Sequence, residues 1–106
     1  MAQNGLGFAI RYRYPVSPGH TLVVPFRPVA TWFKATREEQ LALLELLDVV
    51  KAELDRGVPF PDGGSRVPDG CNVGFNAGQA AGQTVPHLHV HVIPRFTGDV
   101  PDPTGG

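Results

Sequence analysis

Three histidines alternate with aliphatic residues in the stretch HLHVHVI, where they are His87, His89 and His91. The chain has 4 histidines in 106 residues, so this stretch holds all but one of them. On a β-strand, successive side chains point to opposite faces, so the three imidazoles would share one face and Leu88 and Val90 the other. Three imidazoles in register favour a functional surface over a solvated polar face.

That surface could perform either of two kinds of chemistry. Alternate histidines on a strand can chelate zinc and leave one position open to water. Alternatively, one imidazole is a nucleophile or an acid–base group and the others orient it. The preceding loop, residues 76–86, has glycines, amides and a hydroxyl but no charged residue, which suits an anion such as phosphate. A metal site would more often include a nearby acid or thiolate, whereas Asp99 and Cys71 are farther away along the chain.

Four strands and one long helix are predicted to position the histidines, in an α+β fold whose strand pairs are mostly antiparallel. The predicted strands are Phe8–Tyr14, His20–Pro25, Cys71–Asn76 and Pro86–Pro94. The helix is predicted at Arg37–Arg56, because Thr36 and Glu39 form a capping-box pattern and Gly57 can stop it. Segments rich in glycine or proline are predicted to be a loop and a turn, at Val58–Gly70 and Ala77–Gly82.

The predicted helix carries two sets of apolar residues. The first set forms a stripe that the core of the same chain can cover, and its members are Leu43, Leu46, Leu47, Val50 and Leu54. The second set lies outside that stripe and consists of Leu41, Leu44 and Val49. Because so short a chain has few residues left to cover the second set, a second copy of the chain is the favoured cover.

Composition limits the remaining possibilities. The length fits one domain over residues 1–106, with frayed ends expected at 1–7 and 99–106. A net charge of -1 argues against a broad surface for nucleic acid or membrane. Nothing resembles a signal peptide, the apolar runs are too short to span a bilayer, and the lone Cys71 suits a reducing compartment. We therefore expect a cytoplasmic protein.

Two long segments around these residues, Ser17–Trp32 and Cys71–Asp99, resemble segments of the histidine triad (HIT) family. The sequences VIPRF and PFRPV resemble the branch of fragile-histidine-triad proteins and dinucleoside polyphosphate hydrolases. The resemblance implies a HIT-like fold, in which one long helix packs on an antiparallel sheet. It also implies a homodimeric hydrolase or transferase that binds nucleotides and attacks the α-phosphate through a covalent nucleotidyl-histidine. No tightly bound cofactor is implied, although a divalent cation such as Mg²⁺ can accompany the nucleotide.

The resemblance also assigns roles to individual residues. His89 would be the nucleophile, and we expect a backbone carbonyl as its first polar partner. His91 would hydrogen-bond phosphate and assist the leaving group, while His87 and His20 would support the site. The residues expected to contact the nucleotide are Asn76, Gln83, Thr84, Ile10 and Tyr12. No residue is assigned to a metal.

The sequence departs from the family pattern in two places. Tyr12 stands where the family commonly has an acid or amide that binds the ribose hydroxyls. Phe8 already lies in the first matched strand, so we expect a minimal or N-terminally shortened member of the family. Two alternatives share the same site: a nucleoside phosphoramidase, and a nucleotide-binding protein without catalytic activity.

Overall fold

A four-stranded sheet lies at the centre of the computed structural model, which describes residues 1–104. The six strands of this part of the chain are β1 (Gly7–Arg11), β2 (Thr21–Pro25), β3 (Val58–Pro59), β4 (Ser65–Arg66), β5 (Gly70–Gly74) and β6 (Val90–Arg95). The large sheet has the order β1-β2-β6-β5, and each neighbouring pair is antiparallel. The predicted antiparallel sheet is therefore confirmed.

Each of the four predicted strands of this sheet includes residues that lie outside the observed strand. β1 stops at Arg11, because the chain enters the turn that contains Pro15 and Pro18. The predicted strand Pro86–Pro94 forms ladder pairs only from Val90 onward. Before that point the Leu88 amide donates to the carbonyl of Val29, a residue beyond the end of β2. His20 and the residues Phe75–Asn76 were likewise predicted to be in strands, but they lie just beyond the ends of β2 and β5.

The helix α1 (Arg37–Leu54) begins where the capping box predicts. The Glu39 amide donates to Thr36 Oγ1 at 3.1 Å, and the Thr36 amide donates to Glu39 Oε1 at 2.8 Å. The helix ends at Leu54, two residues before the predicted Arg56. Gly57 reverses the chain there with a φ of 112°, and a Cβ at this residue would lie 2.5 Å from Ser65 Oγ. Glycine is therefore required at this turn.

The two apolar faces of α1 are separated as predicted. The core face packs on the sheet, where Val23, Val90 and Val92 are buried against it. Four members of the predicted stripe are buried and the fifth is half-buried: Leu43, Leu46, Val50, Leu54 and Leu47. The second set remains exposed at 54%, 46% and 48% for Leu41, Leu44 and Val49. Burying the first set supplies much of the force that holds the helix on the sheet.

The segment Val58–Gly70 was predicted to be a loop, and this prediction was wrong in part. β3 and β4 pair antiparallel within it as a short hairpin. The Phe60 amide donates to the Gly64 carbonyl at 2.8 Å, which closes the turn between the two strands. The Phe60 ring packs against the buried Phe96, with ring centroids 4.9 Å apart, and this contact fastens the hairpin to the core.

The N-terminal residues fold back along β1. The Ala9 amide donates to the Ala2 carbonyl at 2.9 Å, and Asn4 Nδ2 donates to the Ala42 carbonyl on α1 at 2.9 Å. Of the C-terminal end predicted to fray, residues 105–106 lie outside the described part of the chain. Within residues 1–104, no helix combines the length and apolar character needed to cross a membrane.

Candidate active site

The predicted alternation of side chains places the histidines together. Leu88 and Val90 are buried on the core side, while His87, His89 and His91 are half-buried on the opposite face of the sheet. His87 and His89 precede the first ladder pair of β6, yet they keep the alternation that His91 continues within the strand. We refer to this side of the sheet as the histidine face.

Backbone atoms determine which nitrogen of His20 and His91 carries the proton. The Val16 amide donates to His20 Nδ1 at 3.1 Å, so this nitrogen has no proton. The proton of neutral His20 is then on Nε2, which lies 2.8 Å from His91 Nδ1 and donates to it. Because His91 Nδ1 accepts this bond, the proton of neutral His91 is on Nε2. His91 therefore offers an N–H donor.

The opposite tautomer is imposed on His89. Its Nδ1 lies 3.0 Å from the carbonyl oxygen of His87. A carbonyl oxygen only accepts, so His89 Nδ1 donates, and the lone pair of neutral His89 is on Nε2. A backbone carbonyl is thus the first polar partner of His89, as expected. His87 Nε2 donates in turn to the Pro25 carbonyl at 3.1 Å, which fastens the segment that carries His89 to the end of β2.

We refer to the hydrogen-bonded pair of His20 and His91 as the relay. Burial keeps both imidazoles of the relay neutral near pH 7. Burial, followed by repulsion from His91, lowers the pKa of His20 from 6.5 to about 4. The pKa of His91 is also lowered, first by burial and then by repulsion from His89. The Tyr12 ring contributes to this burial, since its centroid lies 4.8 Å from that of His20 and 5.8 Å from that of His91.

Two hollows on the histidine face meet at Tyr12. We call the hollow beside His89, the residue predicted from the sequence to be the nucleophile, the nucleophile hollow. It has a volume of about 260 Å³ and is lined by Tyr12, Leu22, Val24, Thr84, Val85, His87, Leu88 and His89. The β5 cleft, of about 680 Å³, has His20, His91 and Ile93 along its middle and Asn72, Gly74 and Asn76 along its β5 side. His89 therefore faces one hollow and His91 the other, although they are neighbours whose ring centroids lie 5.0 Å apart.

The five residues predicted to bind the nucleotide are distributed unequally. Tyr12 lines both hollows, Asn76 lines the β5 cleft and Thr84 lines the nucleophile hollow. Ile10 lies on the histidine face, because it is opposite Leu22 in the sheet and Leu22 is opposite His91. The Ile10 side chain is half-exposed there. These four side chains are thus accessible from the side of the sheet that carries the histidines.

The Gln83 amide is occupied inside its own loop. Its Nε2 donates to the Ala30 carbonyl at 2.6 Å and to the Val85 carbonyl at 3.0 Å. Its Oε1 accepts from the Gly78 amide at 2.7 Å. In this arrangement Gln83 shapes the loop before the histidines, and a contact with phosphate would require these bonds to be exchanged.

Three features of the site were absent from the sequence-based prediction. They are the Val16 amide, which sets the tautomers, and the side chains of Asn72 and Arg95 in the β5 cleft. The sequence does show that Asn72, Gly74 and Asn76 stand at every second position. The relevance of this alternation depends on the pairing of β5 with β6, which local patterns do not reveal.

The sequence left a metal site open as the alternative chemistry of the histidine face. Among the side chains of residues 1–104, no group of three or more histidine, cysteine, aspartate or glutamate residues is placed to hold a metal ion. In His87 and His89, one ring nitrogen is hydrogen-bonded to a backbone carbonyl. In His91, one ring nitrogen is hydrogen-bonded to His20.

The fold and the paired imidazoles define a small α+β protein with a histidine-lined cleft, and comparisons with known proteins give its family. The family model described as the HIT domain matches residues 1–98. A solved structure, that of a hypothetical histidine triad nucleotide-binding protein from Sulfolobus tokodaii, superimposes with a TM-score of 0.75 at 32% identity. The match covers 95% of this chain and 62% of that one. The chain belongs to the HIT family, as its sequence motifs predicted.

Two curated relatives carry names that describe an activity. The chain is 39% identical to AP-4-A phosphorylase of Mycobacterium tuberculosis, over 93% of this chain and 47% of that protein. It is 38% identical to the asymmetrical bis(5'-nucleosyl)-tetraphosphatase of Schizosaccharomyces pombe, over 80% of this chain and 42% of that protein. The chain therefore spans about half the length of these relatives or less.

Proposed function

We propose that this protein is a nucleotidyl hydrolase or transferase that cleaves dinucleoside polyphosphates or related nucleotides at the α-phosphate. The observation that carries the proposal is the pair of opposite tautomers on neighbouring histidines. His89 has its lone pair on Nε2, and His91 has a proton there. A nucleophile and a hydrogen-bond donor are the two groups that displacement at phosphorus requires.

In the first step His89 Nε2 attacks the α-phosphorus. The N–P bond forms as the bond from phosphorus to the bridging oxygen of the leaving group breaks. The N–H of His91 donates to the oxygens on which negative charge accumulates. The imidazole of His89 becomes positively charged, and its Nδ1–H remains hydrogen-bonded to the His87 carbonyl, which stabilises that charge.

In the second step an acceptor attacks the nucleotidyl-histidine. When the acceptor is water, the N–P bond breaks, its electron pair returns to His89 Nε2, and a nucleoside monophosphate and a proton are released. When the acceptor is inorganic phosphate, the product is a nucleoside diphosphate. The relatives named as a tetraphosphatase and as a phosphorylase correspond to these two acceptors.

A rapid-quench mass measurement tests this proposal. The protein is mixed with diadenosine tetraphosphate and quenched within milliseconds in an alkaline denaturant, in which a histidine N–P bond survives, and the intact mass is compared with that of untreated protein. We expect an added adenylyl group that is lost on longer incubation. Turnover without any adduct, in a protein quenched over the whole time course, would contradict the covalent mechanism.

The phosphoramidase alternative uses the same histidines with an amine as the leaving group. A panel that compares diadenosine polyphosphates with adenosine 5'-phosphoramidate distinguishes the two, because only the leaving group differs. A protein that binds AMP but turns over none of these substrates would instead support the alternative without catalysis.

Three further attributes belong to the same proposal. The nucleotide substrate is the partner we assign, with Mg²⁺ accompanying its phosphates, and neither nucleic acid nor membrane is included. A homodimer is supported by the exposed apolar set on α1, which consists of Leu41, Leu44 and Val49. A cytoplasmic location is supported by the lone free cysteine, Cys71.

A further inference from the structure

The β5 side of the large cleft has a regular arrangement of side chains. In the register of β5 with β6, Gly74 is opposite His91 and Asn72 is opposite Ile93. Residues that are opposite each other in an antiparallel pair project to the same face of the sheet. Asn72 and Gly74 therefore lie on the histidine face, beside the residues that would handle the phosphate.

Gly74 leaves open space next to His91. A Cβ built on this glycine would meet no atom of the described residues within 4 Å, apart from its chain neighbours. The floor of the cleft beside the His91 imidazole is consequently bare backbone. Asn72 is two residues further along β5, so its Cα lies about 7 Å beyond that of Gly74.

Asn72 is held in a defined orientation by Arg95. Arg95 Nη1 donates to Asn72 Oδ1 at 2.8 Å. The guanidinium itself is fixed by Asp99, which accepts from Nε at 2.8 Å and from Nη2 at 3.0 Å. Because Oδ1 is occupied, the amide orientation is set, and the two protons on Asn72 Nδ2 are available to the cleft.

The direction of the displacement indicates which part of the substrate would occupy the β5 side of the cleft. In an in-line displacement the nucleophile and the leaving group are on opposite sides of phosphorus. His89 faces the nucleophile hollow, whose aliphatic residues Leu22 and Val24 suit a nucleoside. The leaving group then departs away from His89, toward the larger cleft beside His91 and Gly74.

We propose that the β5 side of this cleft is the leaving-group subsite and that Asn72, oriented by Arg95, binds the phosphate chain of a leaving nucleoside polyphosphate. This inference rests on the proposed function. Because Asn72 lies at a distance from His91, whether Asn72 contacts the leaving group depends on the length of that group. An amine leaving group stops beside Gly74 and does not reach Asn72, whereas a chain of phosphates does.

Two variants of Asn72 separate this role from a structural one. Asn72→Ala removes the donors of Nδ2. Asn72→Asp keeps an oxygen that accepts from Arg95, but it replaces the donors facing the cleft with a negatively charged acceptor. Cys71→Ser is the matched control, because Cys71 is the adjacent residue of β5 and projects to the other face.

The experiment measures kcat/KM for three substrates with the same adenylyl group: adenosine 5'-phosphoramidate, diadenosine triphosphate and diadenosine tetraphosphate. For Asn72→Ala we expect a loss of about tenfold with the tetraphosphate and a change within about twofold with the phosphoramidate. Asn72→Asp should lose more than Asn72→Ala with both polyphosphates. An equal loss with all three substrates, or no loss, would overturn the subsite.

A binding measurement keeps the inference testable if the protein turns over none of the substrates. Inorganic tripolyphosphate is titrated into wild-type protein, Asn72→Asp and Cys71→Ser by calorimetry. We expect the aspartate variant to bind at least about tenfold more weakly than the other two. Equal binding by all three would overturn the subsite, whereas absent turnover with selective binding would contradict only the proposed function.

Discussion

The two hollows that meet at Tyr12 differ in what fixes their chemistry. In the nucleophile hollow, the tautomer of His89, the proposed nucleophile, is set by a backbone atom, the His87 carbonyl, and the neighbouring side chains are largely aliphatic. In the β5 cleft, the groups along the strand are side-chain amides, and one of them is oriented by an arginine. The His87 carbonyl is a backbone group and is present whatever side chain residue 87 carries, whereas the amides and the arginine of the cleft are contacts that a single substitution removes.

The largest effect is expected at His89, the proposed nucleophile. His89→Ala removes the lone pair that forms the N–P bond, so turnover should fall to background with every substrate. Nucleotide binding should remain within about tenfold of wild type, because the groups that bind phosphate are retained. Turnover and the mass of quenched protein are measured together, with Cys71→Ser as the control. An adduct on the His89→Ala protein would show that another residue is the nucleophile.

The second effect concerns the helix surface, which faces neither hollow. Leu44→Glu places a charge in the exposed apolar set of α1 and should weaken self-association by about tenfold or more, because the charge must be desolvated in an interface. Sedimentation at micromolar concentrations measures it, with Val67→Glu as the control at an exposed apolar residue outside α1. A wild-type protein that is monomeric at these concentrations would contradict the homodimer.

The third effect distinguishes the buried relay from the exposed amides by its response to pH. The pKa of His20 is about 4 in the folded chain and 6.5 in the usual case. Between these values the unfolded chain binds a proton that the folded chain does not, so the free energy of unfolding falls as pH decreases below 6.5. The stability that neutral His20 contributes to the folded chain is fully present above pH 6.5 and is lost as the pH falls toward 4. His91, whose pKa is also lowered, adds to this dependence on pH.

Replacing the relay should therefore flatten the dependence of stability on pH. His20→Gln removes one titrating group and can still accept from the Val16 amide. Urea unfolding at several values between pH 4 and pH 7 should give a smaller slope for this variant than for wild type, and a still smaller one for His20→Gln combined with His91→Gln. Equal slopes in all three proteins would show that these imidazoles are not buried in their neutral form.

The sequence predicted the histidine face better than it predicted the cleft. The alternation of His87, His89 and His91 with aliphatic residues is a local pattern, and the packing of the core preserves it even before β6 begins. The capping box of α1 is local as well. By contrast, the partners of Asn72 and Gly74 depend on β5 pairing with β6 at the sheet edge, and the tautomers depend on the turn that presents the Val16 amide. Neither contact has a local sequence signal.

The smallest effect is expected at Tyr12, where the two hollows meet. A carboxylate at this position would accept hydrogen bonds from both ribose hydroxyls, whereas a phenol can make one such bond or lie against the sugar. A site that hydrogen-bonds a hydroxyl rejects an analogue that lacks it, because its own polar group is left without a partner. Tyr12 also packs on His20 and His91, so its ring has a second reason to be in this place.

We therefore expect ribo- and deoxyribonucleotide substrates to differ by less than about tenfold in kcat/KM, or roughly 1.4 kcal/mol. Tyr12→Phe keeps the ring packing and should bring the ratio closer to one, while Tyr12→Asp should widen it. Taking the ratio within each variant cancels any loss that comes from disturbing the relay, because both substrates use the same histidines. A wild-type preference for ribose of about a hundredfold or more would mean that another residue recognises the sugar, and the division between a backbone-fixed centre and variable side chains would then not include Tyr12.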